Sequence, residues 1–206
     1  MCASTPFSDP HMHSPGIIIL AAGLGTRFQQ AGGQGNKLLA PYPDAFGVAQ
    51  PLLKFTIDQA KRSGLPLILV TRPGYHAIHQ LAQQAGIRII CLESAGSGES
   101  IAAAVRETPH WRGWLIQPGD MAWVAAEDHL RVARALQQGA SQVRLTWQQQ
   151  PGHPVGFAAS WYATLSMLQG DTGARTLLNT AQLTLLEGHA GVTRDADLPA
   201  SAPRHF

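Results

Sequence analysis

The sequence predicts an α/β domain of three layers, a mostly parallel sheet with helices on both faces. Three observations predict it. Short apolar runs recur along the chain, helix-period segments separate them, and the first run passes straight into a glycine-containing loop.

The elements follow in order. Ile17–Leu20 is a continuous apolar run, as a strand buried on both faces requires. Helical periodicity covers Phe46–Arg62, and a second strand-like run stands at Leu67–Val70. Tyr75–Ala85 is helical, Ile87–Cys91 a strand, and Ser100–Arg106 an Ala-rich helix. Trp114–Ile116 is a short buried strand, followed by the helical pattern Glu127–Gln138 and the strand Val143–Trp147. Gly152–Phe157 reads as a loop leading into a strand. Trp161–Leu168 and Gly173–Thr180 are helical, and Leu183–Leu186 is the last strand. Residues 1–15, with Pro6, Pro10 and Pro15, read as a loose extension. Residues 16–206 form one domain without repeat, low-complexity tract or linker.

Composition narrows the function. With 206 residues and 45% hydrophobic content the chain builds a sizeable core. A formal charge of +2 with scattered arginines gives no stripe for nucleic acid or an anionic membrane. No run reaches the roughly 18 apolar residues of a membrane span, and the first fifteen residues lack a signal-peptide pattern. Cys2 and Cys91 suggest neither a disulfide framework nor a zinc site, so a reducing cytoplasm is expected.

In such a sheet the ligand lies beyond the carboxyl ends of the strands. Here those ends carry glycine and polar groups: the loop from Gly23 to Lys37; Thr71, Arg72 and Pro73; the segment 93–100; and Gln117-Pro118-Gly119-Asp120-Met121. Gly23 and Gly25 allow backbone N–H groups close to anionic oxygens, and Arg27 and Lys37 add positive charge. Lys37 is one of only three lysines. The dinucleotide fingerprint fits badly because Phe28 stands at its third glycine. The Walker loop fits badly because Asn36 separates Gly35 from Lys37 and Leu38 replaces the hydroxyl.

Asp120, fixed by Pro118 and Gly119, is a candidate ligand for magnesium, which takes one or two carboxylates and completes its shell with phosphate and water. Alternatively it is a turn aspartate. Gly96-x-Gly98-Glu99-Ser100 opens a helix and suits an anion or base edge, or Ser97 or Ser100 caps that helix. Thr71 and Arg72 face the base or ribose, or merely end a strand. Asp171 and Arg175 cap and cover a helix, or receive a second phosphate. His76 and His79 lack a third metal ligand.

These motifs, in the order Leu20-Ala21-Ala22-Gly23-x-Gly25-x-Arg27-Phe28, Lys37-Leu38-Leu39, Gly96-x-Gly98-x-Ser100, Gly119-Asp120-Met121, Gly152-His153-Pro154-Val155-x-Phe157 and Gly170-Asp171-x-Gly173-Ala174-Arg175, resemble the molybdenum cofactor cytidylyltransferase family. That family belongs to the nucleotidyltransferases of molybdopterin-guanylyltransferase-like fold. This chain departs from its pattern in a longer segment between Arg27 and Lys37, in Ala122 after Asp120-Met121, and in Ser97 inside the second glycine motif. It also has Asp195-Ala196-Asp197-Leu198-Pro199 near the end.

The resemblance implies a Rossmann-like nucleotidyltransferase fold and transfer of a nucleoside monophosphate, CMP from CTP, to the phosphate of molybdopterin cofactor with release of pyrophosphate. It implies Arg27, Lys37 and Asp120 as catalytic residues. The nucleotide would be held by Leu20, Ala21, Ala22, Gly23, Leu24, Gly25 and Thr26 with Thr71, Arg72, Gly98 and Ser100, and the acceptor by His153, Asp171 and Arg175. Mg2+ would sit on Asp120 and Asp171, with Asp195 as an outside candidate, and a molybdenum hydroxylase apo-enzyme would be the downstream partner. The competing expectations are another small-phosphate or sugar-phosphate nucleotidyltransferase, a non-catalytic cofactor-delivery protein, and a nicotinamide-dependent oxidoreductase, which Phe28 disfavours.

Overall fold

A computed structural model describes residues 14–25, 30, 32 and 35–195 of the chain. In chain order its elements are β1 (Gly16–Leu20), β2 (Pro41–Pro43), β3 (Ala49–Pro51), α1 (Leu52–Arg62), β4 (Leu67–Thr71), α2 (His76–Gln84), β5 (Arg88–Cys91), α3 (Ser97–Glu107), β6 (Gly113–Pro118), α4 (Ala126–Gln137), β7 (Gln142–Trp147), β8 (Gln150–Ala158), α5 (Tyr162–Ser166) and β9 (Leu183–Glu187). Short 3-10 turns stand at Lys37–Leu39, Ala159–Trp161, Ala174–Leu177 and Ala190–Val192.

Seven strands form one sheet in the order β5-β4-β1-β6-β8-β7-β9, and β2 pairs with β3 as a separate ribbon. The pairs β5-β4, β4-β1, β1-β6 and β7-β9 are parallel, whereas β8 runs antiparallel to both β6 and β7. β1 lies between two strands and under helices on both sides, so Ile17, Ile18 and Ile19 are each 0% exposed. This burial explains why its sequence is a continuous apolar run rather than an alternation.

Two cores follow from the pleat. Ile17, Ile19, Leu115, Val143 and Leu145 meet Leu53 and Ile57 of α1, Ile78 of α2, and Val132 and Leu136 of α4. On the opposite face Ile18, Trp114, Ile116, Val155 and Phe157 meet Ile101 and Val105 of α3 and Leu165 of α5.

Local departures from the expected elements have physical causes. The helix expected from Phe46 begins at Leu52, because Pro41, Pro43 and Pro51 frame the β2-β3 ribbon and Asp44 organises its turn. The Asp44 carboxylate accepts hydrogen bonds from the amides of Phe46 and Val48 at 2.9 Å each. The helix expected at Gly173–Thr180 is only the turn Ala174–Leu177. Among the described residues no helix is long and apolar enough to cross a membrane.

Candidate active site

The carboxyl ends of β1, β4 and β6 open into a cavity of about 520 Å³, walled by Leu20, Ala22–Gly25, Lys37, Arg72, Ser94–Ser97, Ser100, Gly119, Asp120 and Asp171. The loop after β1 has an unusual polarity. Its three successive carbonyls are tied back by side chains from the segment after β4: Thr71 Oγ1 donates to Ala21 O at 3.3 Å, Arg72 Nε to Ala22 O at 2.7 Å, and Tyr75 Oη to Gly23 O at 3.2 Å. The amide of Ala21 donates to Val70 O, but among the described residues those of Ala22, Gly23, Leu24 and Gly25 meet no protein acceptor. A run of unpaired amides on a cavity wall is a nest for an anion. Gly25 has φ +64°, where a side chain is strained, and a Cβ on Gly23 would stand in open space. Thr26 and Arg27 lie outside the described residues.

Thr71 is thereby given a different placement from the one facing base or ribose, whereas Arg72 stays on the cavity wall. Thr71 is fully buried behind the wall. The Arg72 guanidinium also donates to Glu93 Oε2 at 3.0 Å and Ser94 O at 2.5 Å, so it clamps three loop segments together. His79 Nε2 lies 2.8 Å from Arg72 O and 3.5 Å from Cys91 Sγ, which gives that histidine a bracing role.

Lys37 starts a 3-10 turn whose Asn36 cap accepts from the Leu38 amide at 3.0 Å and whose Leu38 is buried. Its Nζ lies 2.5 Å from Asp120 Oδ2. Asp120 is held from beneath by groups that the sequence reading passed over. Thr56 Oγ1 donates to Gly119 O at 2.7 Å, Gln117 Nε2 donates to Met121 O at 3.2 Å, and His129 Nε2 stands 2.7 Å from Gln117 Oε1. Burial pushes the His129 imidazole down to about 4, with the Ala125 carbonyl and Asp128 offsetting part of the effect. A polar Gln117 at the end of an otherwise apolar run was the available signal.

Asp171 lines the same cavity. Ser97 N donates to its Oδ1 at 3.5 Å, so it meets the first turn of α3 rather than capping the turn that follows it. Neither Ser97 nor Ser100 caps α3. Gly96 is its N-cap, and Ser100 Oγ donates to Ser94 Oγ at 2.9 Å. The two glycines of this motif have a packing reason. A Cβ on Gly96 would collide with the backbone of Asp171, and one on Gly98 would stand 2.5 Å from Thr172 O and 2.8 Å from Gln169 O. Gly98 N donates to Gly170 O at 3.0 Å, which fixes the Asp171 loop on the helix start. Gly98→Ala is therefore expected to destabilise the fold by about 1–3 kcal/mol, the usual range for overpacking. Urea unfolding checks it, and an unchanged midpoint would show that the 169–172 loop yields freely.

Asp120 and Asp171 both line the cavity, and their hard oxygens are the kind a divalent cation takes alongside phosphate and water. Among the described residues no group of three or more His, Cys, Asp or Glu could hold a metal alone. Asp195 is exposed and takes no part in the cavity wall.

His153 sits on β8 with Nδ1 sealed from solvent and without a partner. Burial lowers its pKa to about 4, the Arg144 guanidinium pushes the same way, and the Ile116 backbone and Asp120 offset part. Burial also lowers the pKa of Arg144, with Arg175 adding to the shift. Arg144 was missed although a cation inside the apolar run Val143–Trp147 was visible in the sequence.

A family model described as the MobA-like NTP transferase domain matches residues 17–186. The chain belongs to this family. Its MobA-like domain is 31% identical over 130 residues to the bifunctional protein GlmU of a Psychrobacter strain, a match covering 63% of this chain and 27% of that protein. The chain thus spans about a quarter of that curated relative. Among solved structures, Rv0371c of Mycobacterium tuberculosis H37Rv aligns with a TM-score of 0.75 at 24% identity, covering 90% of this chain and 93% of that one. A second crystal structure of Rv0371c, in complex with manganese, aligns at 0.70 with 23% identity over 89% and 95% of the two chains. CMP:2-keto-3-deoxy-manno-octonic acid synthetase, solved with CTP, aligns at 0.66 with 13% identity over 91% and 94%. These likenesses establish the nucleotidyltransferase fold.

Proposed function

We propose that this MobA-like domain moves CMP from CTP onto the phosphate of a molybdopterin-type acceptor and releases pyrophosphate. The observation that carries nucleotidyl transfer is the β1 loop, whose carbonyls are tied back while four successive amides meet no acceptor among the described residues, in the cavity that holds the Lys37–Asp120 pair. Amides of Ala22, Gly23, Leu24 and Gly25 hold triphosphate oxygens, and Lys37, with Arg27 as its partner, offsets the charge growing on the leaving pyrophosphate. A phosphate monoester is already ionised near neutral pH, so it attacks the α-phosphorus without a general base and positioning is the main task.

Asp120 and Asp171 are the residues that would hold Mg2+. When bound, such an ion orients the reacting phosphates and withdraws charge from them as a Lewis acid. The manganese complex of Rv0371c supports a divalent ion in this fold. The resemblance of Leu20-Ala21-Ala22-Gly23 to the cytidylyltransferase form of the motif and the CTP complex of a neighbour of like fold support the choice of base. Residues 16–206 act as one domain in the cytoplasm, and a molybdenum hydroxylase apo-enzyme receives the product.

A second reading, a sugar-phosphate nucleotidyltransferase, is favoured by the identity to GlmU. The deciding assay is pyrophosphate release with magnesium, each ribonucleoside triphosphate, and either molybdenum-loaded molybdopterin or a panel of sugar phosphates. Release with CTP and the molybdenum cofactor is expected. Release only with a sugar phosphate would transfer the reading to that acceptor, and release in no combination would leave a nucleotide or cofactor carrier.

A further inference from the structure

Phe46 is 91% exposed, the most of any large apolar side chain among the described residues, and Val48 two positions on is 54% exposed. One apolar side chain on a surface means little. This one is held out on a fixed support. The amides of Phe46 and Val48 both donate to Asp44 Oδ1 at 2.9 Å, Asp44 N donates to Val48 O at 2.8 Å, Gly47 N donates to Asp44 O at 3.0 Å, and Gly47 makes the turn at φ +77°. The support is a ribbon of two three-residue strands, β2 and β3, which among the described residues pair with no other strand. Two strands alone are marginal in water, so a further covering surface stabilises such a ribbon.

The base of the same ribbon closes a cavity of about 430 Å³, separate from the triphosphate cavity, whose lining includes Tyr42, Pro43, Leu52, Phe55, Trp123 and Arg194. The Tyr42 and Trp123 rings meet edge to face with centroids 6.0 Å apart, and the Arg194 guanidinium lies over the Trp123 ring at 3.7 Å from its centroid. A cavity lined by three aromatic rings suits a further ring, stacked or edge-on. Phe46 is not part of the lining, so the chain does not fill the cavity with its own exposed ring.

A fixed aromatic knob and an aromatic hole on one small ribbon are the two halves of a self-complementary contact. In a two-fold pair, residue i of one copy meets j of the other and j meets i, so a patch that carries both halves uses both at once. Tyr42 and Phe46 are four residues apart, at most about 14 Å along the chain. Two ribbons can therefore cross antiparallel with each tip over the other's base. The charges agree, since the knob stands beside Asp44 and the hole carries Arg194, and no ion pair among the described residues includes Asp44.

We propose that this face is a homodimer interface, in which Phe46 of each copy enters the cavity between Tyr42, Phe55 and Trp123 of the other and Asp44 meets Arg194 across the two-fold axis. A second copy is the occupant because the chain itself supplies a fixed ring beside an acid that matches the base of the cavity. Such a pair forms whatever reaction the triphosphate cavity serves. Each buried ring removes on the order of 150–250 Å² from water. Two of them, with Val48 and the ribbon backbones, make an interface at the low end of specific contacts, so a dissociation constant on the order of micromolar is expected.

Sedimentation velocity of the full chain from about 1 to about 300 μM, a range that brackets this affinity, should show monomer passing into dimer. Phe46→Ser should weaken the dimer about tenfold or more, as loss of a central aromatic contact does. Its far-ultraviolet dichroism and the urea midpoint of the dilute protein should stay at wild-type values, because the ring is exposed in the single chain. Phe46→Leu should keep part of the affinity. Ala122→Phe, which fills the cavity from its own lining, should weaken the dimer as much as Phe46→Ser, and Arg194→Glu should weaken it by repelling Asp44. A mixture of Phe46→Ser and Ala122→Phe should associate more tightly than either variant alone, since one intact knob then faces one intact hole. Wild-type protein that stays monomeric across the range would overturn the dimer and leave the cavity to another occupant. A dimer that Phe46→Ser does not weaken would overturn it as well, by placing the interface elsewhere. If Ala122→Phe fails to fold, the two Phe46 variants and Arg194→Glu still decide.

Discussion

Lys37→Ala is expected to lower turnover by about a hundredfold or more, the cost of removing one preorganised charge stabiliser, and to tighten Mn2+ binding by the nucleotide-free protein. The two effects differ in sign because Lys37 is paired with Asp120. Its Nζ is 2.5 Å from Asp120 Oδ2, and the side chains are only 13% and 16% exposed. At that separation the ammonium competes with a divalent cation for the carboxylate, so removing Lys37 should free Asp120 Oδ2 for the metal. An incoming triphosphate would give it somewhere to go, since Ala22–Gly25, whose amides meet no acceptor among the described residues, and Lys37 line one cavity. Lysine suits this exchange because its compact charge rides on a flexible stem.

Asp120→Asn separates the parts. It should lose turnover as severely as Lys37→Ala while weakening Mn2+ binding, because the amide keeps the shape and removes the charge. Steady-state pyrophosphate release gives the first quantity, and titration of free Mn2+ by electron paramagnetic resonance gives the second. Weaker Mn2+ binding in Lys37→Ala would show that the lysine orients the carboxylate instead of competing for it. Less than a tenfold loss of turnover would remove Lys37 from the reaction altogether.

The order of layers was legible in the sequence because parallel strands buried on both faces must be uninterrupted apolar runs, and Ile17–Leu20 has no other explanation. The ribbon Pro41–Pro51 was not legible. Its prolines obscure strand character, and Phe46, taken as helix, is 91% exposed in a turn. The cavity-lining positions of Ala22–Gly25, Lys37 and Asp120 followed from the rule that ligands gather at strand ends, whereas Asp171 was suggested by the family resemblance. What the sequence left hidden depends on partners distant along the chain. Thr71 and Arg72 turn their side chains to carbonyls fifty residues earlier. Gly96 and Gly98 lack side chains because the 169–172 loop lies against them, a requirement no local pattern expresses. Arg144 was concealed for the opposite reason, since one arginine within a strand resembles an edge charge until its neighbours are known.

Lowering the pH from 7.5 to 4.5 is expected to remove about 2–3 kcal/mol of folding stability through His129 alone. His129 is 0% exposed, and burial lowers its pKa from 6.5 to about 4. In the unfolded chain it returns to the ordinary histidine value. Between about pH 6.5 and 4 the unfolded state therefore binds a proton that the folded state does not, and stability falls as pH falls through that window. The contribution is fully present above 6.5, and below 4 the loss is complete. His153 adds to the slope in the same direction. Urea unfolding at half-unit pH steps measures the effect, and His129→Gln should flatten the curve by about that amount. The same variant tests a link to the site, since His129 reaches the Asp120 loop through Gln117 and the Met121 carbonyl. If that chain positions the carboxylate, His129→Gln should weaken Mn2+ binding at pH 7.5, where the native imidazole is neutral. A flatter stability curve with unchanged Mn2+ affinity would confine His129 to the core.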